Sequence, residues 1–371
     1  MGETGQVAVF TGPRRPFEIR EFPVPQPGPG AVLVKVRVAN VCGSDLHAWR
    51  GQYDVAAGKT PPFSCSLGHE MIGTVVRLGE GVERDSAGQP LAADDRIVYR
   101  YFYPCGRCRS CLRRRTPRCL KAMRYRYPPE QYPHFNAAYG QYYYLHPNHT
   151  VFKVPENVSD DLAAPANCAL SQVIECLQRA GAGLDDHVVI QGAGGLGINA
   201  IAVAREMGVR QIIVIDGIEE RLELARAFGA DQLVDLREYP TPESRVKRVK
   251  ELTESWGADI VLEVAGHPRV IPEGIAMLGQ GGIYVEVGNI NQRLTAEIDP
   301  SVLVHGGKTI VGVMWYEPPS LQKALDLLAT KQDKYPFHKI LSHKYPLTAI
   351  STAFQEQDAG HVQRAALLPW G

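Results

Sequence analysis

The sequence predicts an α/β protein with two domains: a β-rich domain of irregular barrel form, and a domain built on a doubly wound parallel sheet. The chain has 371 residues, which is enough for two hydrophobic cores. Short apolar runs broken by Pro and Gly fill roughly the first 160 residues, whereas apolar strands alternate with helical stretches beyond them. A glycine-rich turn follows the first of those apolar strands.

Composition and charge narrow the possible partners. Hydrophobic residues make up 44% and charged residues 22%, as in ordinary globular proteins. Forty basic and forty acidic residues leave no net charge, so we expect neither nucleic acid nor a membrane as partner. The chain does not begin like a signal peptide, Gln6 breaks the myristoylation pattern, and no apolar stretch approaches the roughly 20 residues of a membrane helix. We therefore expect a cytoplasmic protein.

The first domain is expected to span residues 1–165. Residues 32–38 (VLVKVRV) alternate apolar and polar side chains, which is typical of a strand with one buried face. Another strand is expected at 71–78, and clusters of Pro and Gly, such as 27–30, separate these short elements. This texture predicts an irregular barrel with long loops.

The second domain is expected to span residues 166–313. Residues 162–180 have the apolar spacing of a helix. Because strands that alternate with helices form a parallel sheet, the segments that follow predict a doubly wound fold. The segment 314–371, with helical spacing at 321–330 and a strand at 365–368, is expected to return to the first domain. The strand candidates of the second domain are 188–190, 212–215, 260–264 and 283–287.

A glycine motif follows the first strand of the second domain. Gly192, Gly194 and Gly197 form G-x-G-x-x-G directly before a helical stretch. The first glycine permits a tight turn, the second lets a pyrophosphate approach the backbone, and the third lets helix and strand pack closely. The helix N-terminus then faces the phosphates. The motif predicts a dinucleotide site of Rossmann type, with contacts at Gly192, Gly194, Gly195, Leu196 and Gly197.

Asp216 ends the next strand candidate, nineteen residues after Gly197. A carboxylate there accepts hydrogen bonds from the hydroxyls of the adenosine ribose. It would also repel the 2′-phosphate of NADP, so the sequence favours NAD, although Arg221 lies close enough in sequence to soften the repulsion. The alternative is a Rossmann-like layer that binds no cofactor, in which Asp216 only caps a turn.

A lobe at about residues 100–120 carries four cysteines within fifteen residues, with the spacing C-x2-C-x2-C-x7-C. Four thiolates suit tetrahedral Zn²⁺, and they leave no open coordination position, so this zinc would be structural. An iron–sulfur cluster is the alternative, although ferredoxins usually place the next Cys sooner and before Pro. The cysteines are Cys105, Cys108, Cys111 and Cys119. The lobe also carries six arginines, interpreted as a solvated face that offsets the thiolate charge: Arg107, Arg109, Arg113, Arg114, Arg115 and Arg118.

A second metal site is suggested by Cys42, His69 and Cys168, which lie in three separate segments. Three protein ligands plus water form the open arrangement of a catalytic zinc. Taken alone, however, each residue is as easily a core cysteine or a hydrogen-bonded histidine. Glu175 and Cys176 are nearby alternatives to Cys168 as the third ligand.

These motifs together resemble the zinc-containing medium-chain alcohol dehydrogenases, because residues 42–47, 68–70, the four-cysteine lobe and the glycine loop follow one another in the family's order. The resemblance covers essentially the whole chain. It implies a GroES-like barrel domain, a Rossmann domain, two Zn²⁺ per chain, and hydride transfer between a zinc-bound alcohol and NAD. It also implies a small alcohol or ketone as substrate and a homodimer or homotetramer. The alternatives are a polyol, sugar or amino-acid-derivative dehydrogenase of the same family, and a non-catalytic NAD-binding relative.

The resemblance implies a role for each residue of the second metal site. Cys42, His69 and Cys168 would hold the catalytic zinc. Glu70 would lie behind the zinc as a neighbour or a transient ligand. Asp45 would orient the imidazole of His69, as carboxylates do for zinc-bound histidines.

The resemblance also assigns the proton path and the pocket. Ser44 would accept the proton of the alcohol, and His47 would pass it to solvent. Tyr101 matches a wall of the substrate pocket. The Tyr-rich stretch 125–144 would either extend this wall or form ordinary barrel core and surface loop. Arg364 matches a contact to the cofactor pyrophosphate.

Two positions bear on substrate and local geometry. Thr is the common alternative to Ser44, and its extra methyl would lie beside the reactive carbon. Because Ser leaves that volume for a second substituent, we expect a secondary or cyclic alcohol rather than ethanol. The family's Gly-Asp-Arg-Val turn appears here as Asp94-Asp95-Arg96-Ile97, which leaves the geometry of that turn open.

Overall fold

The computed structural model describes residues 2–52, 64–119, 121–124, 128–290, 294–341 and 343–371, with the backbone alone at 123 and 124. The chain divides into two compact units. The first comprises Met1–Cys168, Glu317–Asp333 and Phe337–Gly371, and the second comprises Ala169–Tyr316 and Lys334–Pro336. The predicted boundaries at 165 and 313 each lie three residues before these. Among the described residues, no helix is both long and apolar enough to cross a membrane.

The first unit is β-rich, with short helices between its strands. Its strands up to residue 168 are β1 (Thr4–Phe10), β2 (Glu18–Pro23), β3 (Val32–Asn40), β4 (Cys65–Ser66), β5 (Glu70–Leu78), β6 (Arg96–Tyr99), β7 (Phe102–Tyr103), β8 (Met123–Arg124), β9 (Tyr142–Leu145) and β10 (Val151–Lys153). Its helices there are α1 (Gly43–Trp49), α2 (Arg109–Leu112) and α3 (Asp160–Ala163), with 3-10 turns at Thr116–Arg118 and Ala164–Asn167.

The second unit alternates strands and helices. Its helices are α4 (Ala169–Ala180), α5 (Gly195–Glu206), α6 (Glu219–Ala227), α7 (Pro242–Leu252), α8 (Val270–Met277) and α9 (Ser301–Gly306). Its strands are β11 (His187–Gln191), β12 (Gln211–Asp216), β13 (Gln232–Asp235), β14 (Ala258–Glu263), β15 (Leu278–Glu286) and β16 (Thr309–Gly312). The chain then returns to the first unit with α10 (Pro318–Lys331), β17 (His343–Pro346), α11 (Ile350–Asp358) and β18 (Ala365–Leu368), and with 3-10 turns at Phe337–Lys339 and Leu347–Ala349.

Strand β3 is the centre of the first unit. It pairs antiparallel with β5, β9 and β18, and the described part of this sheet has the order β10-β6-β5-β3-β18-β17. Lys35 and Arg37 of β3 are exposed. Val34, which precedes Lys35, and Val36, which lies between the two, belong to the hydrophobic core. Alternation along one strand therefore fixes which face of the sheet is buried.

The second unit has a parallel sheet with the order β13-β12-β11-β14-β15-β16 in the described chain. This is the doubly wound order, whose direction reverses beside β11, where ligands bind at the carboxyl ends of the strands. Val189, Ile213, Val261 and Tyr284 form its core. Together with the first unit, this sheet confirms the predicted fold class.

The structure differs from the predicted helix at 162–180, and it shows the conformation of the turn at Asp94. The single helix expected at 162–180 is divided into α3, a 3-10 turn and α4, because Pro165 has no backbone N–H to donate and Cys168 adopts φ −130° and ψ −89°. Asp94, which replaces the family's glycine, has φ +68°. The left-handed turn is therefore kept with an Asp, a residue that tolerates this conformation better than most.

Candidate functional site

Four potential ligand atoms converge in the first unit. One atom each from Cys42, His69, Glu70 and Cys168 lies within 4.8 Å of all the others. The Nε2 atom of His69 is 3.4 Å from the Sγ atom of Cys168, and the two Sγ atoms are 3.9 Å apart. Cys42 caps the N-terminus of α1, and Cys168 ends the 3-10 turn before α4. The interruption of the predicted helix thus coincides with a ligand position.

These distances fit one zinc ion. Thiolates about 2.3 Å and an imidazole nitrogen about 2.0–2.1 Å from a tetrahedral zinc lie roughly 3.5–3.8 Å from each other. The observed separations of 3.4 and 3.9 Å match that geometry. Two thiols and an imidazole also form a donor set that zinc prefers, and a zinc held by these three alone would keep a fourth position for water or substrate.

Asp45 lies behind His69. One carboxylate oxygen is 3.4 Å from Nδ1 of His69, and the other accepts hydrogen bonds from the Tyr139 hydroxyl at 2.9 Å and the Cys42 backbone N–H at 3.2 Å. Burial opposes protonation of His69, but Asp45 and the Cys42 thiol together favour it, so the pKa of His69 is raised. The imidazole is therefore held with Nδ1 toward the carboxylate and Nε2 toward the thiols, the orientation that a ligand histidine needs.

Glu70 forms a buried ion pair with Arg364. Burial raises the pKa of the Glu70 carboxyl to about 7, although the Arg364 guanidinium opposes the rise. Arg364 was expected at the pyrophosphate of the cofactor, and in the structure its guanidinium contacts Glu70. The pyrophosphate contact stays a prediction.

Three residues to which the sequence assigned no role stabilise this site, two through backbone carbonyl oxygens and one through the Asp45 carboxylate. The side-chain amide of Asn167 donates to the carbonyl oxygens of His69 and Tyr99, each at 2.9 Å. The Tyr99 hydroxyl also donates to the His69 carbonyl, at 3.1 Å. Tyr139 holds Asp45 as described. The nearest sequence signal was the position of Asn167 directly before Cys168.

The alternative third ligands have other partners. The sulfur of Cys176 accepts a hydrogen bond from Gln172, and Glu175 pairs with Arg179 at 2.8 Å. Neither belongs to a potential metal-binding group within the described residues.

The residues expected to move the proton lie on α1. Ser44 and His47 are both half-buried, and Nδ1 of His47 lies 2.5 Å from the Gln52 side-chain oxygen. The Tyr101 ring lies 4.7 Å from the His69 ring, beside the metal-binding group. Within the Tyr-rich stretch, Tyr125 and Tyr127 lie outside the described residues. Tyr132 is 62% exposed, whereas the remaining tyrosines are buried: Tyr139, Tyr142, Tyr143 and Tyr144.

The four cysteines of the lobe form a second group of potential ligands. Neighbouring sulfurs are 3.5 Å (Cys105–Cys119 and Cys108–Cys111), 3.7 Å (Cys108–Cys119) and 4.0 Å (Cys105–Cys111) apart. Tetrahedral zinc with bonds of about 2.3 Å gives an edge of roughly 3.8 Å, whereas a disulfide needs about 2.05 Å. The group therefore fits one tetrahedral ion with no open position.

The glycine turn has space for a ligand beside one of its three motif glycines. Gly192 has φ +104°, and a Cβ atom there would lie 2.9 Å from the Ala265 nitrogen. A Cβ atom on Gly197 would lie 1.9 Å from the Gly192 oxygen. At Gly194, by contrast, a Cβ atom would meet nothing within 4 Å. The turn thus has tight contacts at its first and third glycines and open space at the second, where a pyrophosphate approaches.

Asp216 ends β12 and contacts this turn. Its carboxylate accepts hydrogen bonds from the backbone N–H groups of Ala193 (2.7 Å), Gly217 (2.8 Å) and Ile218 (3.0 Å). The guanidinium of Arg221 lies 3.9 Å away. The carboxylate therefore fixes the turn at the position where a ribose is expected, with Arg221 close by.

Comparison with known proteins gives the following relationships. Residues 28–156 match the family model of the alcohol dehydrogenase GroES-like domain, and residues 195–330 match that of the zinc-binding dehydrogenases. The chain is 34% identical to 5-exo-hydroxycamphor dehydrogenase of Pseudomonas putida, over 92% of this chain and 93% of that protein. It is 31% identical to L-threonine 3-dehydrogenase of Saccharopolyspora erythraea, over 98% of both.

Solved structures agree with these relationships. An alcohol dehydrogenase from Thermotoga maritima superposes with a TM-score of 0.91 and 28% identity, covering 99% of this chain and 100% of that one. Benzyl alcohol dehydrogenase from Acinetobacter calcoaceticus superposes with a TM-score of 0.83 and 26% identity, covering 99% of both chains.

Proposed function

Because this chain belongs to the zinc-dependent medium-chain alcohol dehydrogenase family, we propose that it transfers a hydride between a secondary or cyclic alcohol and NAD. Membership of the family makes it an alcohol-type oxidoreductase and confirms the resemblance inferred from its motifs. The observation that carries the proposal is the convergence of Cys42, His69 and Cys168, with Asp45 behind the imidazole. In the oxidative direction a secondary alcohol becomes a ketone, a primary alcohol would become an aldehyde, and NAD becomes NADH with release of the hydroxyl proton.

Cys42, His69 and Cys168 are the residues that would hold the catalytic zinc, and the four-cysteine lobe would hold the structural zinc. A zinc ion at the first site supplies Lewis acidity, which lowers the pKa of an alcohol hydroxyl. Asp45 keeps the His69 imidazole in its orientation. Glu70 is paired with Arg364 beside the proposed ligands. The guanidinium therefore compensates the negative charge of the Glu70 carboxylate, which stays next to the metal site.

Proton removal from the alcohol falls to α1. Ser44 would accept the hydroxyl proton, and His47 would release it to solvent. Both side chains are half-buried, so they can contact a substrate and still exchange protons with water. The contact of His47 Nδ1 with the Gln52 side-chain oxygen fixes the orientation of the imidazole ring.

The preference for NAD rests on Asp216. Its carboxylate is held at the end of β12 by three backbone N–H groups, so it cannot easily turn away from a cofactor ribose. A fixed negative charge favours the ribose hydroxyls of NAD over the phosphate of NADP. The open space at Gly194 supports binding of the pyrophosphate by the same turn.

Several features favour a bulky secondary alcohol as substrate. Ser44 leaves free the volume that a threonine methyl would fill. The Tyr101 ring beside His69 offers an apolar face and a hydroxyl group to the substrate. The relative at 34% identity is named for 5-exo-hydroxycamphor, which is a ring compound.

A second candidate substrate is L-threonine or a related amino-acid derivative. It is favoured by the 31% identity to L-threonine 3-dehydrogenase over almost the entire chain. The hydroxyl of threonine is also secondary, so this candidate shares the steric argument at Ser44. The two candidates differ in charge, and a panel of substrates separates them.

The proposal is tested by measuring kcat/KM from NADH absorbance with cyclohexanol, L-threonine and ethanol. Cyclohexanol should be oxidised faster than ethanol. Ser44→Thr should reduce the cyclohexanol value about 10- to 200-fold while sparing ethanol, because a misplaced methyl in a tight site costs about 1–3 kcal/mol. Ser301→Thr, at an exposed position, is the control. NADH production with L-threonine alone would favour the second candidate, and no NADH with any alcohol would refute the proposal.

We further propose a homodimer or homotetramer in the cytoplasm. In the second unit, Ile310 of the terminal strand β16 is exposed, as are Val304 and Met314. Exposed apolar side chains beside the edge of a sheet favour association with another chain. All eight cysteines are free thiols, which suits a reducing compartment such as the cytoplasm. Light scattering that finds only monomers would contradict the assembly.

A further inference from the structure

Charge is distributed unevenly along this chain. The whole chain has forty basic and forty acidic residues. Residues 100–129 nevertheless contain no Asp or Glu. Their basic residues are Arg100, Arg107, Arg109, Arg113, Arg114, Arg115, Arg118, Lys121, Arg124 and Arg126. Although the chain as a whole has no net charge, its segment 100–129 is therefore strongly basic.

The part of this segment from Cys105 to Cys119, here called the basic lobe, presents its charge to solvent. All six arginines between its cysteines are exposed, and none forms an ion pair with a carboxylate within the described residues. Exposed arginines elsewhere do form such pairs: Arg37 pairs with Asp160, and Arg237 with Asp235. Among the residues that the structure describes, the guanidinium groups of the basic lobe thus have no carboxylate partners.

The metal site does not account for this charge. Four thiolates with one divalent ion carry a net charge of about −2. Six arginines exceed that charge, so a surplus of positive charge remains after compensation. The four cysteines converge within the lobe, so the arginines between them are held close together in space. Clustered like charges repel each other, and a bound polyanion would relieve the repulsion.

An apolar side chain lies in the middle of the charges. Leu112, in α2, is 74% exposed, with Arg109 before it and Arg113 directly after it. Basic clusters with an exposed aliphatic side chain are typical of proteins that bind the interface of anionic lipids. Arginine is also suited to phosphate, because its planar fork donates two parallel hydrogen bonds. Binding of single-stranded nucleic acid normally uses aromatic rings that stack on bases, and residues 105–119 contain no aromatic residue.

We propose that the basic lobe docks this protein on membranes of anionic phospholipid, with its arginines on the phosphates and Leu112 among the acyl chains. The binding is peripheral and needs no membrane-spanning helix. It departs from the expectation, drawn from the zero net charge, that the protein has no membrane partner. It is also independent of the proposed substrate, because the lobe contains no residue of the Cys42, His69 and Cys168 site.

The test is sedimentation of the full-length protein with vesicles of phosphatidylglycerol and phosphatidylcholine, or of phosphatidylcholine alone. The protein should sediment with the anionic vesicles only, and added salt should release it because screening weakens the attraction. A triple variant, Arg113→Glu, Arg114→Glu and Arg115→Glu, should bind at least about tenfold more weakly. The control triple variant, Arg15→Glu, Arg269→Glu and Lys323→Glu, changes the net charge equally at exposed positions outside the lobe and should bind like the wild type.

Further measurements separate docking from misfolding. Zinc content, thermal melting and NADH production with a soluble alcohol should be the same in both triple variants. If the glutamate variant loses zinc, the milder Leu112→Ser should still weaken vesicle binding with zinc retained. Equal vesicle binding by wild type and both lobe variants would overturn the proposal. So would an absence of binding to anionic vesicles, or tighter binding to an oligonucleotide than to the vesicles.

Discussion

Asp216 combines a structural contact with a proposed choice of cofactor. Its carboxylate holds the glycine turn through Ala193 and two further backbone N–H groups, while its charge is expected to favour NAD over NADP. Asp216→Asn removes the charge and keeps an oxygen that accepts hydrogen bonds. The ratio of kcat/KM for NAD over NADP should fall at least about tenfold in this variant, since juxtaposed like charges cost several kcal/mol.

Asp216→Ala, which also removes the oxygen acceptors, is the companion variant. It should lower the thermal stability as well as the ratio, because the three backbone donors lose their partner. A wild type that prefers NADP, or an Asp216→Asn variant with an unchanged ratio, would refute the role of the charge.

Asn167 is predicted to position the ligands of the catalytic metal. Its side-chain amide donates to the carbonyl oxygens of His69 and Tyr99, and it directly precedes Cys168. Asn167→Asp places an oxygen where two carbonyl oxygens need a donor. The zinc affinity of the site, measured by competition with a chelator, should fall about 10- to 100-fold. This is the usual effect of losing a residue that orients metal ligands. Asn157→Asp is the matched control, because its amide also donates to a carbonyl but at an exposed position. Unchanged zinc retention in Asn167→Asp would contradict the prediction.

Sequence spacing explains which site residues could be anticipated. The proposed ligands occur in motifs, and the resemblance assigned them roles. Asn167 and Tyr139 are not part of any motif, and they contact partners 98 and 94 residues away, His69 and Asp45. Such contacts depend on how distant strands and turns pack, which one sequence does not encode in a local pattern.

At the scale of elements, periodicity located the longer apolar strands β3, β5, β11, β12, β14 and β15 and the helix α10, but it missed interruptions of helices and most of the short strands. The pattern at 162–180 predicted one helix, whereas the chain changes direction at Pro165 and Cys168 and begins α4 only at Ala169. Strands β13 and β16 are four residues long, and β16 is largely exposed, so neither has a clear apolar pattern. Hydrophobic periodicity shows which face of an element is buried, but it is weak where the element is short or irregular.

The four-cysteine lobe should behave as a separate stabilising element. Cys108→Ser removes one of the four sulfurs that lie 3.5–4.0 Å from their neighbours. The variant should lose about one of two zinc ions, and its Tm should fall by roughly 4–8 °C for a loss of about 2 kcal/mol. Ser110→Ala in the same lobe should retain both ions. A Cys108→Ser protein with two zinc ions and an unchanged Tm would refute a structural metal in the lobe.

At the scale of the whole molecule, stability should fall in mild acid. Burial lowers the pKa of His149, with a further contribution from neighbouring His146, and burial also lowers the pKa of His146. The unfolded chain therefore binds protons more readily than the native one, so stability is full above about pH 6.5 and is lost as the pH falls below it. The ring of His149 lies 4.2 Å from that of Tyr103, and the positive charge of Arg100 also lowers the pKa of His149.

His149→Phe tests this pH dependence. The variant keeps an aromatic ring but cannot bind a proton, so its fall in Tm between neutral and mildly acidic pH should be smaller than that of the wild type by at least about 2 °C. His361→Asn, at an exposed position, should retain the wild-type fall. An identical fall in all three proteins would show that His149 does not contribute.

The central claim is that His69 belongs to a catalytic metal site distinct from the four-cysteine lobe. The most direct measurement combines zinc content, alcohol oxidation and Tm for wild type, His69→Ala and the exposed control His338→Ala. Wild type and control should hold two zinc ions per chain and oxidise the alcohol. His69→Ala should hold about one, lose on the order of 10³-fold in kcat, and keep a cooperative melting transition, since Lewis acidity is worth several kcal/mol. A His69→Ala protein that retains two zinc ions and near-normal turnover would contradict the account.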